Sequence, residues 1–310
     1  MQRVQLGKTD LSVMPIGFGA NAIGTDRIYA NADVKGSKQL ILDAIEKGVN
    51  FFDSAYSYGD GLSEKVIGEA LKERVKRDDI VVATKVSLRE KDGVRVHDNS
   101  PEFLTIEVEK ALQRLQMDYV DIMYIHYPDE STPKDESIGA LQRLKEQGKI
   151  RAIGVSNFSP EQLQEANKDG YVDIVQGGYN LINRSAEDWY FPYMQKQNIA
   201  FIPYFPLASG LLTGKHTKDA IFTDFRAKLP HFKQEQFLEN LEKVEQLKPI
   251  AARYGVNVAN IVLAWYLQQE AVTAVIPGAK NIAQVVENCK TLDVRLSEQD
   301  LQEIARIFPR

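Results

Sequence analysis

The chain has 310 residues, a net charge of -5, a hydrophobic fraction of 44% and a charged fraction of 26%. This balance is that of an ordinary globular protein, and it gives no electrostatic case for nucleic acid or an anionic membrane as a partner. Cys289 is the only cysteine, which excludes an intrachain disulfide and argues against a cysteine-based metal site. The N-terminus lacks the apolar core of a secretion signal, and no apolar run is long enough to span a membrane. We therefore expect a cytoplasmic protein, a monomer by default, with no resident metal.

The predicted elements begin with a small β-hairpin over residues 3–13, in which Gly7-Lys8-Thr9-Asp10 supplies the turn. Strand-like and helix-like segments then alternate to the end of the chain. The strand candidates lie near 14–17, 49–52, 80–84, 119–125, 151–155, 173–175, 200–203 and 272–276. Helical patterns between them include 37–47, 64–74, 101–115, 136–147 and 160–168. Ser100-Pro101 and Ser159-Pro160 are typical helix starts, each an N-cap residue followed by proline.

Eight strands that alternate with helices predict an α/β fold of the (β/α)8 TIM-barrel type, with long loops at its C-terminal face and one domain over residues 1–310. A doubly wound parallel sheet shows the same alternation and is the competing fold. The count of eight and the absence of a linker favour the barrel. Residues 215–232 have poor periodicity and mixed charge, so we interpret them as a flexible loop over the barrel mouth. A surface insertion without a role is the alternative.

Four polar residues lie just past successive strand candidates, where the carboxyl ends of barrel strands share one face. Asp53 follows 49–52, Tyr58 lies five positions further on, Lys85 follows 80–84, and His126 follows 119–125. Each also has a purely structural explanation. Asp53 is explained as a helix cap and Tyr58 as a packed ring. Lys85 is explained as the ion-pair partner of Asp53, and His126 as a core histidine. All four at successive strand ends are much less expected by chance. They predict a proton-handling site.

These four side chains suit the reduction of a carbonyl group. A tyrosine hydroxyl has a pKa near ~10, too high for easy proton transfer at neutral pH, and a nearby ammonium group lowers it. Asp53 would fix Lys85 and keep it charged, and His126 would donate a hydrogen bond to an oxygen that becomes negative. Tyr58 would then give its proton to the carbonyl oxygen while a hydride attacks the carbon. The set holds no hydride source, so a cofactor is required.

Later strand ends carry groups suited to a nicotinamide cofactor. Ser156, Asn157 and Gln176 follow the fifth and sixth strand candidates and offer hydroxyl and amide groups for a carboxamide. Tyr204 ends the seventh strand and could stack on a flat ring, with core packing as the alternative. Pro206, Leu207, Gly210 and Leu211 in the next segment complete this end of the predicted cofactor site.

The segment after the eighth strand favours phosphate, because a glycine turn, a lysine and a helix N-terminus come together. The turn residues are Gly278, Ala279 and Lys280. The helix that follows contributes Gln284, Glu287 and Asn288 to the predicted contacts. A surface lysine without a ligand is the alternative for Lys280.

Short motifs run in order through almost the whole chain. They are Leu6-Gly7-Lys8-Thr9-Asp10-Leu11, Phe52-Asp53-Ser54-Ala55-Tyr56-Ser57-Tyr58-Gly59, Ala83-Thr84-Lys85, Gly154-Val155-Ser156-Asn157-Phe158 and Ile276-Pro277-Gly278-Ala279. At these spacings the sequence resembles the aldo-keto reductase superfamily. The resemblance implies a barrel without a Rossmann domain that binds NADPH in an extended pose. By resemblance, Asp53, Tyr58, Lys85 and His126 are the catalytic tetrad, Ser156, Asn157 and Gln176 hold the nicotinamide amide, and Tyr204 stacks on its ring.

Within the superfamily, the Ile-Pro-Gly-Ala-Lys motif ending at Lys280 resembles bacterial general reductases and potassium-channel β-subunits. The segments 124–130 and 203–207 resemble the inositol-operon reductases of bacteria. Many mammalian members carry a basic residue at the position of Gln284 and Lys-Ser in place of Gly278-Ala279. Lys280 must therefore provide most of the recognition of the 2'-phosphate of NADPH. We expect NADPH as cofactor, with NADH accepted more weakly.

The predicted function is NADPH-dependent reduction of small aldehydes or ketones, with alcohol oxidation as the reverse reaction. An inositol-derived ketone or a sugar aldehyde is the substrate implied by the resemblance. The candidates for shaping its pocket are Phe18, Asn21, Tyr127, Trp189 and the loop at 215–232. The first alternative is an NADP(H)-sensing regulatory subunit with slow reductase chemistry and a protein partner. A second is a phosphate-binding lyase that uses Lys85 as a Schiff base, against which the tyrosine and the amide groups argue. No nucleic-acid or membrane partner is expected.

Overall fold

The computed structural model describes residues 3–23, 36–72 and 75–310, and its first element is the predicted hairpin. Strand β1 (Val4–Gln5) pairs antiparallel with β2 (Ser12–Val13). Leu6 and Leu11 between them are buried against the first residues of the barrel strands, in one cluster with Phe51. The hairpin therefore closes the N-terminal end of the barrel.

Seven parallel strands form a curled sheet whose order follows the chain. They are β3 (Phe18–Gly19), β4 (Phe51–Asp53), β5 (Val81–Val86), β8 (Val120–Ile125), β9 (Ile150–Ser156), β10 (Ile174–Gly178) and β11 (Ala200–Tyr204). A separate antiparallel hairpin, β6 (Leu88–Lys91) and β7 (Val94–His97), follows directly on β5. This second hairpin was not predicted from the sequence.

The eighth segment closes the barrel through isolated bridges rather than a regular strand. The amide of Thr273 donates to the carbonyl of Phe201 at 3.0 Å, and the amide of Val275 donates to the carbonyl of Pro15 at 2.9 Å. Proline has no N–H group, so Pro15 and Pro277 interrupt the ladder on both sides of this seam. The regular first strand accordingly begins at Phe18, beyond the predicted 14–17. The predicted barrel is confirmed, with this irregular seam.

The barrel strands are buried on both faces, as their continuous apolar runs predict. One cluster, which includes Phe51, Ile122 and Tyr124, fills the barrel interior, and a larger cluster packs the outer face against the helices. Gly154 gives the Tyr124 ring its space, because a Cβ there would lie 2.2 Å from the Tyr124 Cδ1.

The helices that follow the first five main strands end within two residues of their predicted bounds, the ordinary uncertainty of helix ends. They are α1 (Ser37–Glu46), α2 (Leu62–Lys72), α3 (Pro101–Leu115), α4 (Lys134–Glu146) and α5 (Pro160–Ala166), and residues 73 and 74 of the second prediction lie outside the described residues. The later helices are α6 (Tyr190–Gln197), α7 (Gln234–Glu245), α8 (Lys248–Tyr254), α9 (Val258–Leu267), α10 (Ile282–Cys289) and α11 (Glu298–Ile307). Ser100 and Ser159 cap α3 and α5 as predicted. Within the described ranges, none of the helices has both the length and the apolarity to cross a membrane.

Residues 215–232 form short 3₁₀ turns over the barrel mouth, at Phe225–Lys228 and Pro230–Phe232. Phe222, Phe232 and Phe237 pack together beneath these turns, with ring centroids 4.6 to 6.0 Å apart. This aromatic cluster explains why the segment shows no helical or strand period, because it packs through irregular turns. The placement over the mouth agrees with the prediction, and the flexibility of the segment stays a prediction.

A close approach of two helices supplies a stability test. A Cβ on Gly68 of α2 would lie 2.2 Å from the carbonyl oxygen of Leu115 at the end of α3, so Gly68→Ala should destabilise the protein by about 1–3 kcal/mol. Gly139 of α4 has only the tip of Arg143, at 3.8 Å, near such a Cβ. Gly139→Ala should therefore raise stability by up to about 1 kcal/mol, because alanine favours helix. Thermal and urea unfolding measure the change in stability of both variants. Equal changes in Gly68→Ala and Gly139→Ala would contradict the close contact at Gly68.

Candidate active site

A cavity of about 910 Å³ opens at the carboxyl ends of the barrel strands. This is the face at which TIM barrels carry their functional sites. Most of the residues singled out in the sequence line it: Asp53, Tyr58, His126, Ser156, Asn157, Gln176, Tyr204, Pro206, Leu207, Gly210, Gly278, Ala279, Lys280, Gln284, Glu287 and Asn288. The barrel therefore brings together side chains that lie far apart in the sequence.

Lys85 and Asp53 form an ion pair with both side chains withdrawn from water. The Lys85 Nζ donates to the Asp53 Oδ1 at 2.5 Å and to the carbonyl oxygen of Ser54 at 2.7 Å. Burial lowers the pKa of the Lys85 ammonium, and the charge of Asp53 opposes that shift. Lys85 itself is not among the residues that line the cavity, and Asp53 is its ion-pair partner as predicted.

Gln176 reaches the same carboxylate from β10, on another side of the barrel. Its Nε2 donates to the Asp53 Oδ2 at 2.8 Å. Both carboxylate oxygens of Asp53 thus accept a hydrogen bond, one from each neighbour. Gln176 was predicted as a nicotinamide contact, and this second contact leaves its amide oxygen for that purpose.

Tyr58 sits on a turn fixed at both ends by backbone hydrogen bonds. The amide of Tyr56 donates to the carbonyl of Lys85 at 3.1 Å, and the amide of Ser63 donates to the carbonyl of Tyr58 at 3.2 Å. The centroid of the half-buried Tyr58 ring lies 5.2 Å from the Lys85 Nζ and 6.3 Å from the His126 ring, nearly perpendicular to it. Phenol and imidazole therefore meet at the cavity wall, with the buried ammonium directly behind the phenol ring.

A buried ion pair behind this turn holds it in place. The Arg114 Nε donates to the Glu64 Oε2 at 2.5 Å, and the Thr84 hydroxyl donates to the Glu64 Oε1 at 2.6 Å. The Arg114 guanidinium lies over the Tyr56 ring, 4.8 Å from its centroid, and fills the space beside Gly61. Burial raises the pKa of the Glu64 carboxyl, and Arg114 opposes the shift.

His126 is neutral across the physiological range. Withdrawal from water, and then the positive charge of Lys85, lower the pKa of His126 to about 3. Its Nδ1 lies 3.5 Å from the Ser57 hydroxyl, and its ring packs on Tyr127 with centroids 4.8 Å apart. A neutral imidazole donates one N–H and cannot act as a cation toward the substrate.

Asn157 joins two walls of the cavity. Its Nδ2 donates to the carbonyl of His126 at 3.0 Å and to the Ser156 hydroxyl at 3.1 Å, and its Oδ1 accepts from the Tyr204 hydroxyl at 3.0 Å. Its φ of 61° is in the left-handed region, which asparagine tolerates better than most residues. Asn157 therefore fixes the orientation of Tyr204, in addition to any contact with a cofactor.

The phosphate end of the cavity holds more positive charge than the sequence analysis assigned to it. Arg226 lines the cavity together with Lys280, and its guanidinium is held by Asp224 through contacts of 2.7 to 3.2 Å. Burial, and then the Arg226 charge, lower the pKa of Lys280, whereas Asp224 raises it. Gln284 accepts from the amide of Lys280 at 2.7 Å, and Asn281 caps α10.

The 215–232 loop was predicted to shape the pocket without its individual residues being singled out, Ser87 and His97 were not predicted, and a few predicted residues lie elsewhere. Arg226, Lys215, His216 and His231 of the 215–232 loop line the cavity, as do Ser87 and His97. The basic residues of that loop were the available signal. Leu211 is fully buried within the turn at 208–213, which directs its side chain into the core, and Phe18 is buried against Phe52. Of the predicted pocket-shaping residues, Asn21 and Tyr127 line the cavity.

The model of the aldo/keto reductase family matches residues 15–308. The chain belongs to the aldo/keto reductase family. It is 35% identical over 330 residues to the NADH-specific methylglyoxal reductase of Escherichia coli (strain K12), covering 100% of each chain. It is also 35% identical over 308 residues to a probable voltage-gated potassium channel subunit beta of Arabidopsis thaliana, covering 95% of this chain and 92% of that one.

The solved structure of the glycerol dehydrogenase from Gluconobacter oxydans has the same fold. It superimposes with a TM-score of 0.90 at 33% identity and covers 98% of this chain and 94% of that one. The predicted family is thus confirmed, together with the likeness to channel β-subunits. The family is one of nicotinamide-dependent enzymes that act on small carbonyl compounds.

The Glu64–Arg114 pair predicts a stability loss that depends on pH. Arg114→Met leaves the Glu64 carboxylate buried without its partner and should cost about 3–5 kcal/mol at pH 8. The folded state then binds a proton at Glu64 more readily than the unfolded state, so the loss should shrink as the pH falls toward 5. Urea unfolding at both pH values measures it.

Lys110→Met is the matched control for this prediction. Lys110 is exposed on the same helix, and its pairing with Glu107 is worth about 1 kcal/mol or less. A loss for Arg114→Met that is no larger than the control's, or that grows at low pH, contradicts the assigned role.

Proposed function

We propose that this protein is an NADP(H)-dependent carbonyl reductase acting on small aldehydes or ketones, a monomeric cytoplasmic enzyme with one barrel domain. The observation that carries the proposal is that Tyr58 and His126 meet at the cavity wall, with the buried Asp53–Lys85 pair directly behind the Tyr58 ring. A proton donor, a hydrogen-bond donor and a buried cation are the groups that the reduction of a carbonyl oxygen needs. The family to which the chain belongs supports the reaction class.

In this assignment Tyr58 gives its proton to the carbonyl oxygen. Lys85 favours the phenolate that remains, because its ammonium lies beside the ring, and Asp53 holds the lysine in place. His126 is neutral and donates one hydrogen bond that orients the carbonyl. In the reverse direction Tyr58, as phenolate, takes the proton of an alcohol.

The cavity residues fit a nicotinamide cofactor. Bound there, the cofactor supplies the hydride that attacks the carbonyl carbon. Ser156 and the amide oxygen of Gln176 would hold its carboxamide, and Tyr204, oriented by Asn157, would face its ring. Further contacts would come from Pro206, Leu207, Gly210, Gly278, Ala279, Gln284, Glu287 and Asn288.

Lys280 and Arg226 support NADPH over NADH, because two cations at one end of the cavity favour an additional phosphate. Asp224 pairs with Arg226 and lowers the net charge there, and an NADH-specific enzyme stands among the relatives. We therefore propose a preference for NADPH together with measurable use of NADH.

An NADP(H)-sensing regulatory subunit is the second candidate. The 35% identity to a plant protein named as a potassium channel subunit beta is the observation that favours it. Multiple turnovers with a reactive aldehyde support the enzyme, whereas a tightly held, slowly exchanging cofactor with little turnover supports the sensor.

Tyr58→Phe tests the chemistry. Loss of the proton donor should lower kcat/KM for 4-nitrobenzaldehyde by at least about 100-fold, while the Kd for NADPH stays unchanged. NADPH oxidation and fluorescence titration measure the two quantities. Tyr56→Phe is the control, because Tyr56 lies in the same turn beneath Arg114 and should keep its activity. Retained turnover in Tyr58→Phe would sink the assignment.

Lys280→Met tests the phosphate end. Loss of a charge-assisted contact should raise the Kd for NADPH about tenfold and leave the Kd for NADH within about twofold. Lys243→Met, on α7 and paired with Glu239, is the control and should change neither. Equal rises for both cofactors would place Lys280 against a part that they share, and no rise would place it away from the cofactor.

A further inference from the structure

Glu64 is a carboxylate buried directly behind the strand that bears Lys85. It lies in the first turn of α2, and its side chain is fully withdrawn from solvent. Its Oε1 accepts a hydrogen bond at 2.6 Å from the hydroxyl of Thr84, the residue before Lys85 on β5. Successive side chains of a strand point to opposite faces, so Glu64 lies on the outer side of β5 and Lys85 on the inner side. The two charges therefore face each other across the backbone of one strand.

The first turn of α2 also holds Glu64 in a fixed place beside the turn that carries Tyr58. The amide of Ser63 donates to the carbonyl of Tyr58 at 3.2 Å, and the Ser63 hydroxyl accepts from that of Ser54 at 2.9 Å. The carbonyl of Ser54 in turn accepts from the Lys85 Nζ at 2.7 Å. One hydrogen-bonded frame therefore joins the helix of Glu64 to the phenol and to the ammonium group.

Arg114 binds Glu64 through one carboxylate oxygen and is itself shared. Its Nε donates to the Oε2 of Glu64 at 2.5 Å, while its Nη1 lies 3.8 Å from the carboxylate of Glu107. The arginine charge is thus divided between two carboxylates, which leaves part of the field of Glu64 to act on β5. Burial lowers the pKa of Lys85, and Asp53, followed by Glu64, opposes that shift.

The charged and titratable groups around Lys85 come from the elements packed against it. The negative ones are Asp53 of β4 and Glu64 of α2. The ring centroid of Tyr124 on β8 lies 5.6 Å from the Lys85 Nζ, and burial, followed by the charge of Asp53, raises the pKa of this phenol well above its usual value. His126, after the same strand, is neutral. Among the described residues, Glu64 is therefore the carboxylate that acts on Lys85 besides Asp53.

We propose that Glu64 is a positioning residue for proton transfer: through Lys85, its buried charge holds the proton on Tyr58 and sets the upper pH limit of carbonyl reduction. A negative charge favours the protonated form of an ammonium and of a phenol alike, so its removal makes the first proton of this pair easier to lose. Glu64 is not among the residues that line the cavity, so it acts without touching substrate or cofactor. The inference rests on the proposed function, because Tyr58 is taken as the proton donor.

The test is the pH profile of Glu64→Gln, which removes the charge and keeps an oxygen that accepts from Arg114. The descending limb of kcat/KM for 4-nitrobenzaldehyde should move about one pH unit lower, because reduction needs the protonated phenol. The ascending limb of alcohol oxidation, which needs the phenolate, should move in the same direction. A purely structural role, in which the variant only displaces Tyr58, lowers kcat/KM at every pH and leaves both limbs in place.

Three further variants separate charge from packing. Thr84→Val removes the hydrogen bond to Glu64 and keeps its charge, so the limb should stay within about 0.3 pH unit of its place. Glu69→Gln neutralises an exposed carboxylate of α2 and should change neither rate nor limb. If Glu64→Gln unfolds, its combination with Arg114→Met leaves no unpaired buried ion and should show the same downward movement. An unmoved limb in the Glu64 variants, or an equal movement in Glu69→Gln, overturns the proposal.

A titration of Tyr58 itself decides the proposal even without turnover. In protein labelled with ¹³C at the tyrosine Cζ, the Tyr58 signal is the one missing from Tyr58→Phe. Its alkaline transition in Glu64→Gln should lie about one pH unit below that of the wild type. Identical transitions overturn the role of Glu64. The proposed function is decided separately, by the Tyr58-dependent reduction of 4-nitrobenzaldehyde.

Discussion

The ion pair of Lys85 with Asp53 is the interaction on which the site depends. An ammonium group without solvent is expensive, and removing either partner of such a pair leaves an uncompensated charge worth several kcal/mol. Two neighbouring strands supply the pair, the carbonyl of Ser54 accepts a second hydrogen bond from the lysine, and Gln176 approaches the carboxylate from β10. The site therefore depends on closure of the barrel, because only closure brings Gln176 on β10 within reach of Asp53 on β4.

The same buried charge divides the work among the neighbouring groups. Lys85 favours the negative form of a nearby phenol and disfavours the positive form of a nearby imidazole. Burial, and then the charge of Lys85, lower the pKa of His126 far below neutrality, which leaves its ring uncharged. The Glu64–Arg114 pair then fixes the turn that carries the phenol.

The sequence was sufficient to predict the barrel and the meeting of Asp53, Tyr58, Lys85 and His126 near its mouth, because both follow from strand order. Long apolar runs mark buried strands, and polar residues at their ends must come together at one mouth. It did not place Arg226, since the direction of a side chain in an irregular loop follows from packing, here that of Phe222, and leaves no period. The β6–β7 hairpin had a signal that was not used. Asp92-Gly93 is a strong two-residue turn, and both residues have positive φ, at 52° and 74°.

Positive charge is concentrated on one side of the barrel mouth. The proposed cofactor phosphate and the proposed carbonyl substrate therefore have separate places. Lys280 and Arg226 lie in segments that follow the eighth segment and β11, whereas His97 and Tyr127 lie in segments that follow β5 and β8. Anionic groups are attracted to the first side, and a neutral substrate loses nothing by binding at the second. Tyr58 and His126 lie with the second group, next to the buried cation. A substrate that carried its own phosphate would be attracted to Lys280 and Arg226, so the uneven charge favours uncharged carbonyl compounds beside Tyr58 and His126.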